Sequence, residues 1–152
     1  MRQVTVATFT KLNHSWNADP NSPAPKIADH GSDLELSFQL NAFQFKWFRE
    51  LERGTLHFEN VSRYRLGPTN DEGWHRGQCR FSSLAPAWGE FYSINSDAAL
   101  LNAPVDWQHK IVAAPGTMHL LFYMRDSTFE CVCNSWEVSR LTGNALLRLG
   151  AD

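Results

Sequence analysis

Asp33–Asn41 reads DLELSFQLN, and its alternation decides the fold. Leu34, Leu36, Phe38 and Leu40 fall on one side, Glu35, Ser37, Gln39 and Asn41 on the other. A strict period of two marks a strand with one face on a core and the other in water. Upstream, Lys11 to about Gly31 carries Pro20, Pro23 and Pro25. Each proline lacks an amide donor and biases its predecessor to extended geometry, so this reads as a long loop, with Trp16 placed to pin it down. Before it, Gln3 to Thr10 is rich in β-branched residues and reads as a strand.

Downstream, Phe43 to Leu51 (FQFKWFREL) starts with the same alternation and then loses it, which suggests a strand ending in a turn at Glu52–Gly54, or a short helix. From Thr55 to Leu66 the phase breaks near Glu59–Asn60, as one extra residue in a β-bulge would cause. Trp88, Glu90, Tyr92 and Ile94 alternate again as a strand. A short helix from Asp97 to Asn102, capped by Ser96 or Asp97, is limited by Pro104. Met118 to Met124 and Phe129 to Asn134 form a hairpin around Arg125–Thr128, for which a four-residue loop is expected. Trp136 to Leu141 suggests a last helical turn, and NALLRLGAD an edge strand or a fraying terminus.

The sum is one mainly-β domain over residues 1–152. The expected architecture is an antiparallel β-sandwich, or a curved barrel-like sheet, of about seven to eight strands with long loops and one or two short helices at most. A chain of 152 residues can bury a single sizeable core. A net charge of −2 gives no long-range pull on phosphate backbones, so nucleic acid is not an expected partner. The N-terminal MRQVTVATFTKL lacks the apolar run of a signal peptide, and no stretch reaches membrane-spanning length, so a cytoplasmic protein with no membrane partner is expected. The three cysteines match no zinc pattern, and Cys131 and Cys133 stand in line along one strand, which suits core thiols better than a disulfide. No metal and no cofactor is expected.

Chemistry concentrates in Arg63 to Tyr92, RYRLGPTNDEGWHRGQCRFSSLAPAWGEFY. Arg65, Asp71, Glu72, Trp74, His75, Arg76, Arg80 and Glu90 are the candidate ligand- or partner-binding residues. Tryptophan and arginine on turn-rich backbone make strong desolvated contacts with a flat ligand, a sugar ring or a protein. The plainer reading is that Trp74 and Trp88 plug the end of a β core. Asp71, Glu72, His75 and Cys79 fall within nine positions of one another but match no established metal spacing, and Thr69 with Glu72 also fits a helix capping box. For hydrolysis, His57, His75 and His119 are nominal bases and Cys79, Ser82 and Ser83 nominal nucleophiles, with no nucleophile-elbow motif among them.

Taken together, WNADPNSPAPK (16–26), RYRLGPTNDEGW (63–74), GQCRFSSLAPAWGEFY (77–92) and the late hairpin resemble a group of uncharacterised bacterial proteins of unknown function. The resemblance spans Trp16 to about Trp136 and implies no activity, cofactor or catalytic residue. The hairpin is also similar in pattern to small β-rich immunity proteins that inhibit bacterial toxins by binding them.

Three functions follow as expectations. The first is a non-catalytic domain that binds an unidentified protein or small molecule through the Arg/Trp-rich stretch. The second is a small hydrolase or metal-dependent enzyme using Asp71, Glu72, His75 or Glu90. The third is an immunity-like inhibitor. A homo-oligomer is compatible with any of them.

Overall fold

The structure is a computed structural model that describes residues 7–67, 81, 87, 89–96, 98–142 and 145–148. Of the residues singled out above, Thr69, Asp71, Glu72, Trp74, His75, Arg76, Cys79, Arg80, Ser82, Ser83, Trp88 and Asp97 lie outside the described residues. The elements in order are β1 (Thr8–Lys11), β2 (Lys26–His30), β3 (Asp33–Gln39), β4 (Arg53–Glu59), β5 (Arg63–Gly67), β6 (Phe91–Asn95), α1 (Ala98–Leu101), β7 (Gln108–His109), β8 (Met118–Met124), β9 (Ser127–Cys133), β10 (Ser135–Thr142) and β11 (Ala145–Arg148). They form two antiparallel sheets, one of six strands in the order β1-β6-β8-β9-β5-β7 and one of five in the order β11-β10-β4-β3-β2. The mainly-β antiparallel fold with one short helix is as the alternation predicts. The sheets hold more strands than expected: β2 lies inside the 11–31 stretch read as a loop, where Lys26–His30 pairs with β3 beyond the last proline, and β7 is only two residues long.

The sheets pack face to face. Leu34, Leu36 and Phe38 of β3, with Leu56 and Phe58 of β4, meet Phe91, Leu120, Phe122, Phe129, Cys131 and Cys133 of the six-stranded sheet in one core. Phe38 stands edge-on to Phe122 at 5.1 Å, and Phe58 stacks on Phe129 at 5.3 Å. Aromatic pairs in these geometries add to the gain from burial alone. Trp16 does pin the proline-rich loop, lying 3% exposed against Phe38 and Phe122. Cys131 and Cys133 are unpaired thiols in this core, and burial pushes the Cys131 thiol well up.

Four expectations are corrected. The 43–51 segment is neither strand nor helix but a chain of turns. Asn41 Oδ1 accepts from the amides of Phe43 and Gln44, both at 3.1 Å, and this side-chain turn ends the strand before the aromatic alternation begins. The phase break at Glu59–Asn60 is no bulge: β4 lies in one sheet and β5 in the other, and the chain crosses between them through Asn60, whose φ is +52°. β9 and β10 turn the same corner through the single residue Asn134, whose amide donates to Glu59 O at 3.0 Å. Strands that switch sheets at corners are a standard device of sandwiches. Trp136 to Leu141 is strand, not helix, because its partner is β4: Trp136 faces Phe58 and Val138 faces Leu56 in register. The late hairpin has a two-residue loop, since Met124 pairs with Ser127 and the ladder runs on to that point.

β8 and β9 are buried on both faces, which explains their near-continuous apolar runs. On the outer side of the six-stranded sheet, Tyr92, Ile94, Leu121, Tyr123, Ala7 and Phe81 form a second cluster, against which Phe9 and Leu100 pack. No helix among the described residues is long and apolar enough to cross a membrane.

Candidate functional site

The second cluster shares its face with a set of charged groups that the alternation of β9 turns outward. Phe129, Cys131 and Cys133 point to the core, so Thr128, Glu130 and Val132 face the other way, yet Glu130 has no solvent exposure at all. A fully buried carboxylate needs partners, because desolvating an unpaired ion is very costly. Glu130 Oε2 receives Arg65 Nη1 at 2.5 Å, and Oε1 lies 2.7 Å from His119 Nε2. Arg65 is the neighbour of Glu130 in the β5–β9 register, and His119 comes from β8 on the other side. Arg65 also grips Asp106 through two bonds, Nε to Oδ1 at 2.8 Å and Nη2 to Oδ2 at 3.1 Å. Burial pulls the Arg65 pKa down, but Asp106 and Glu130 more than offset it and hold the guanidinium charged.

These contacts hold the connection between α1 and β8 against the sheet. Arg63 Nη2 donates to Asn102 Oδ1 at 2.7 Å, and the Arg63 guanidinium lies 4.6 Å from the centre of the Trp107 ring. Trp107 in turn stands edge-on to His119 at 6.1 Å. Phe81, a described residue of the Arg/Trp-rich stretch, packs edge-on to Phe9 at 5.6 Å and stands 6.2 Å from His119.

Two buried polar atoms converge here without a hydrogen-bond partner among the described residues: His119 Nδ1 and Trp107 Nε1. Their residues are 7% and 8% exposed, so water does not reach them freely. Unmet buried polar groups are rare in folded proteins and call for a partner. His119 lines a cavity of about 360 Å³ with Ser96, Leu101 and Thr117, and a neighbouring cavity of about 560 Å³ shares Leu101, Thr117 and Val132 and adds Arg63 and Lys110. Nε2 is engaged by Glu130, so Nδ1 is the ring atom without a partner among the described residues.

The two described candidate residues do not come together. Arg65 belongs to the buried chain just described. Glu90 bonds Asn13 Nδ2, stands 3.6 Å from Lys11 Nζ and lines a separate cavity of about 300 Å³ with Asn17, Gln44 and Arg125. Burial and the Glu90 charge push the Tyr92 phenol up to about 12, so it stays a neutral donor to Ala87 O at 2.9 Å. Glu130, Asp106 and Trp107 escape sequence reasoning. The signal for Glu130 was a lone charge inside FECVC, one strand away from a lone His119 in MHLLFYM.

A second ionisable group lies on the outer face of the five-stranded sheet. His57 Nε2 is 3.2 Å from Asp33 Oδ2 and its Nδ1 is 3.4 Å from Glu35 Oε1, while His30 Nε2 stands 3.4 Å from Glu35 Oε2 and Glu137 lies opposite His57 in register. No set of three or more His, Cys, Asp or Glu side chains among the described residues is arranged to hold a metal ion. Burial lowers the His57 pKa, but hydrogen bonds and charge from Glu35 and Asp33 raise it further, for a net rise above the usual 6.5. For Asp33, burial raises the pKa, and the Asn60 amide and His57 overcome this to leave it below 3.8. The His57 contribution is therefore complete below pH 6.5 and disappears as pH climbs through its raised folded value. That of Asp33 is present above 3.8 and disappears as pH falls through its lowered folded value. After solvent screening the His57 part is about 1 kcal/mol at most, roughly 2–4 °C in Tm. Thermal melts from pH 5 to 9 are expected to show this decline on the alkaline side in the native protein and to lose it in His57→Gln. An equal decline in both proteins would remove His57 from the account.

No family model, curated protein or solved structure matches this chain.

Proposed function

We propose that the protein is a non-catalytic binding domain whose recognition surface is the outer face of the six-stranded sheet beside the Arg63–Tyr92 stretch. One observation carries the reading: His119 Nδ1 and Trp107 Nε1 are buried without a partner among the described residues, and His119 lines one of two cavities that share Leu101, Thr117 and Val132, on the face against which Phe81 packs. The floor is rigid, since Glu130, Arg65 and Asp106 fix the histidine and the loop that carries Trp107. A pre-organised floor with few polar groups and apolar walls is what a specific small ligand or an inserted side chain uses. Asp71, Glu72, Trp74, His75, Arg76 and Arg80 are counted with the proposed recognition residues on the strength of the sequence.

The test is a ligand-observed NMR screen of small metabolites and short peptides against the native protein and Thr117→Trp. Thr117 is exposed and lines both cavities, so an indole there occupies the space a ligand would take. A compound that binds the native protein and loses roughly tenfold or more in affinity to the variant supports the proposal. Undiminished binding to Thr117→Trp, or a screen with no binder, counts against it.

A hydrolytic reading is favoured by one feature, the Glu130-oriented His119 beside a cavity with one ring nitrogen lacking a partner among the described residues, an arrangement a general base shares. Turnover on an ester, phosphate or glycoside panel that disappears in His119→Asn would replace the binding reading with this one.

A further inference from the structure

We infer that the cleft between residues 19–22 and 41–52 is a binding site for a small organic ammonium ion carrying an apolar body. This site lies on a different part of the molecule from the His119 face and does not depend on it. The chain of turns after β3 leaves three large apolar side chains in water: Phe43 is 62% exposed, Trp47 57% and Leu51 68%. Exposed apolar side chains clustered in this way usually mark a contact surface. Phe45 and Phe48 pack on Trp47 at 5.3 and 5.8 Å, so the group is a built platform, not scattered side chains.

Phe43, Phe48 and Leu51 wall a cleft of about 450 Å³ whose other walls include Asp19, Gln39 and Glu50. That volume suits a small molecule. The charged groups lining it are both carboxylates. Asp19 is held in place because its Oδ1 accepts from the amides of Asn21 at 2.8 Å and Ser22 at 3.0 Å. Gln39 Oε1 is buried and has no hydrogen-bond partner among the described residues, although its main chain is secured to Pro23 O and the Asp19 amide. An unmet buried acceptor beside two carboxylates asks for a donor, and a positive one. Phe48 already carries one cation, with the Arg140 guanidinium 5.4 Å from its ring centre, and Arg140 is paired with Glu52 at 3.4 Å. Aromatic faces, two carboxylates and an orphan carbonyl oxygen together complement an ammonium head on a hydrocarbon or aryl body.

Isothermal titration of the full chain with 2-phenylethylammonium and with the neutral 2-phenylethanol tests this. The ammonium compound is expected to bind once per chain and the alcohol at least about tenfold more weakly. Glu50→Gln, at an exposed position, is expected to weaken the ammonium compound by roughly threefold or more with no change in Tm, and Phe43→Ala to do the same. Thr117→Trp is expected to leave this binding unchanged, which separates the two sites. Absence of binding, equal binding of the two compounds, or unchanged affinity in both cleft variants overturns the inference. Tighter binding of N-acetyl-lysinamide than of 2-phenylethylammonium overturns the small-molecule class in favour of a protein side chain.

Discussion

Arg65→Met is expected to lower the unfolding free energy by about 3–5 kcal/mol, because it withdraws a guanidinium from a carboxylate with no access to water. Methionine keeps much of the apolar stem, so little of the loss comes from packing. The variant also releases Asp106, and with it a tie between the 102–107 loop and the sheet. Domains of this size are stable by only about 5–15 kcal/mol, so this one change removes a large share. The double variant Arg65→Met with Glu130→Leu is expected to recover part of the loss, since replacing a buried ion pair by apolar side chains of similar volume is often neutral while His119 Nε2 gives up its partner. Urea denaturation of the native protein, Arg65→Met, Glu130→Leu and the double variant measures both effects. Additive losses would mean that the two residues do not act as a pair.

Phe38→Ala is the second large effect, again about 3–5 kcal/mol. Phe38 has no exposed surface and lies where the sheets meet, 5.1 Å from Phe122 and 5.7 Å from Trp16. Its removal opens a cavity that neighbours on two sheets and a loop cannot all collapse into. Trp47→Ala, on an exposed ring of similar chemistry, is expected to cost about 0.5 kcal/mol or less. An unfolding free energy for Phe38→Ala, from urea denaturation, within about 1 kcal/mol of the native protein would mean that the sheets do not pack through this ring.

The core was legible wherever one face of a strand met water. Leu34, Leu36, Phe38 and Leu40 could be assigned inward from DLELSFQLN alone, because Glu35, Ser37 and Gln39 mark the other face. Errors arose where local pattern and long-range pairing part company. A bulge and a crossing between sheets break phase alike at Glu59–Asn60, and only the partners of β5 tell them apart. WEVSRL carries Trp136 and Val138 inward, but a helical reading stays open until β4 is known to lie beside it. At 43–51 one side chain, Asn41, decided the matter by capturing two amides.

The candidate site was half legible for the same reason. Dense Arg, Trp and turn residues drew attention to 63–92, and Arg65 does stand in the buried chain. Glu130 lies 65 positions away from Arg65 in sequence and sits in a strand that otherwise reads as pure core. What makes it notable is its partners, and partners separated by that distance are set by the fold. Burial of an ion is a tertiary property.

The most direct measurement is the ¹H–¹⁵N spectrum of the labelled full chain titrated with a compound retained by the small-molecule screen. The largest shifts are expected on His119, Thr117 and Val132, which line the cavities of the six-stranded sheet's outer face, and on the Trp107 indole, which stands 6.1 Å from the His119 ring. Largest shifts at Asp33, Glu35 and His57, on the outer face of the five-stranded sheet, with Trp107 and His119 unmoved, would contradict the proposed recognition surface.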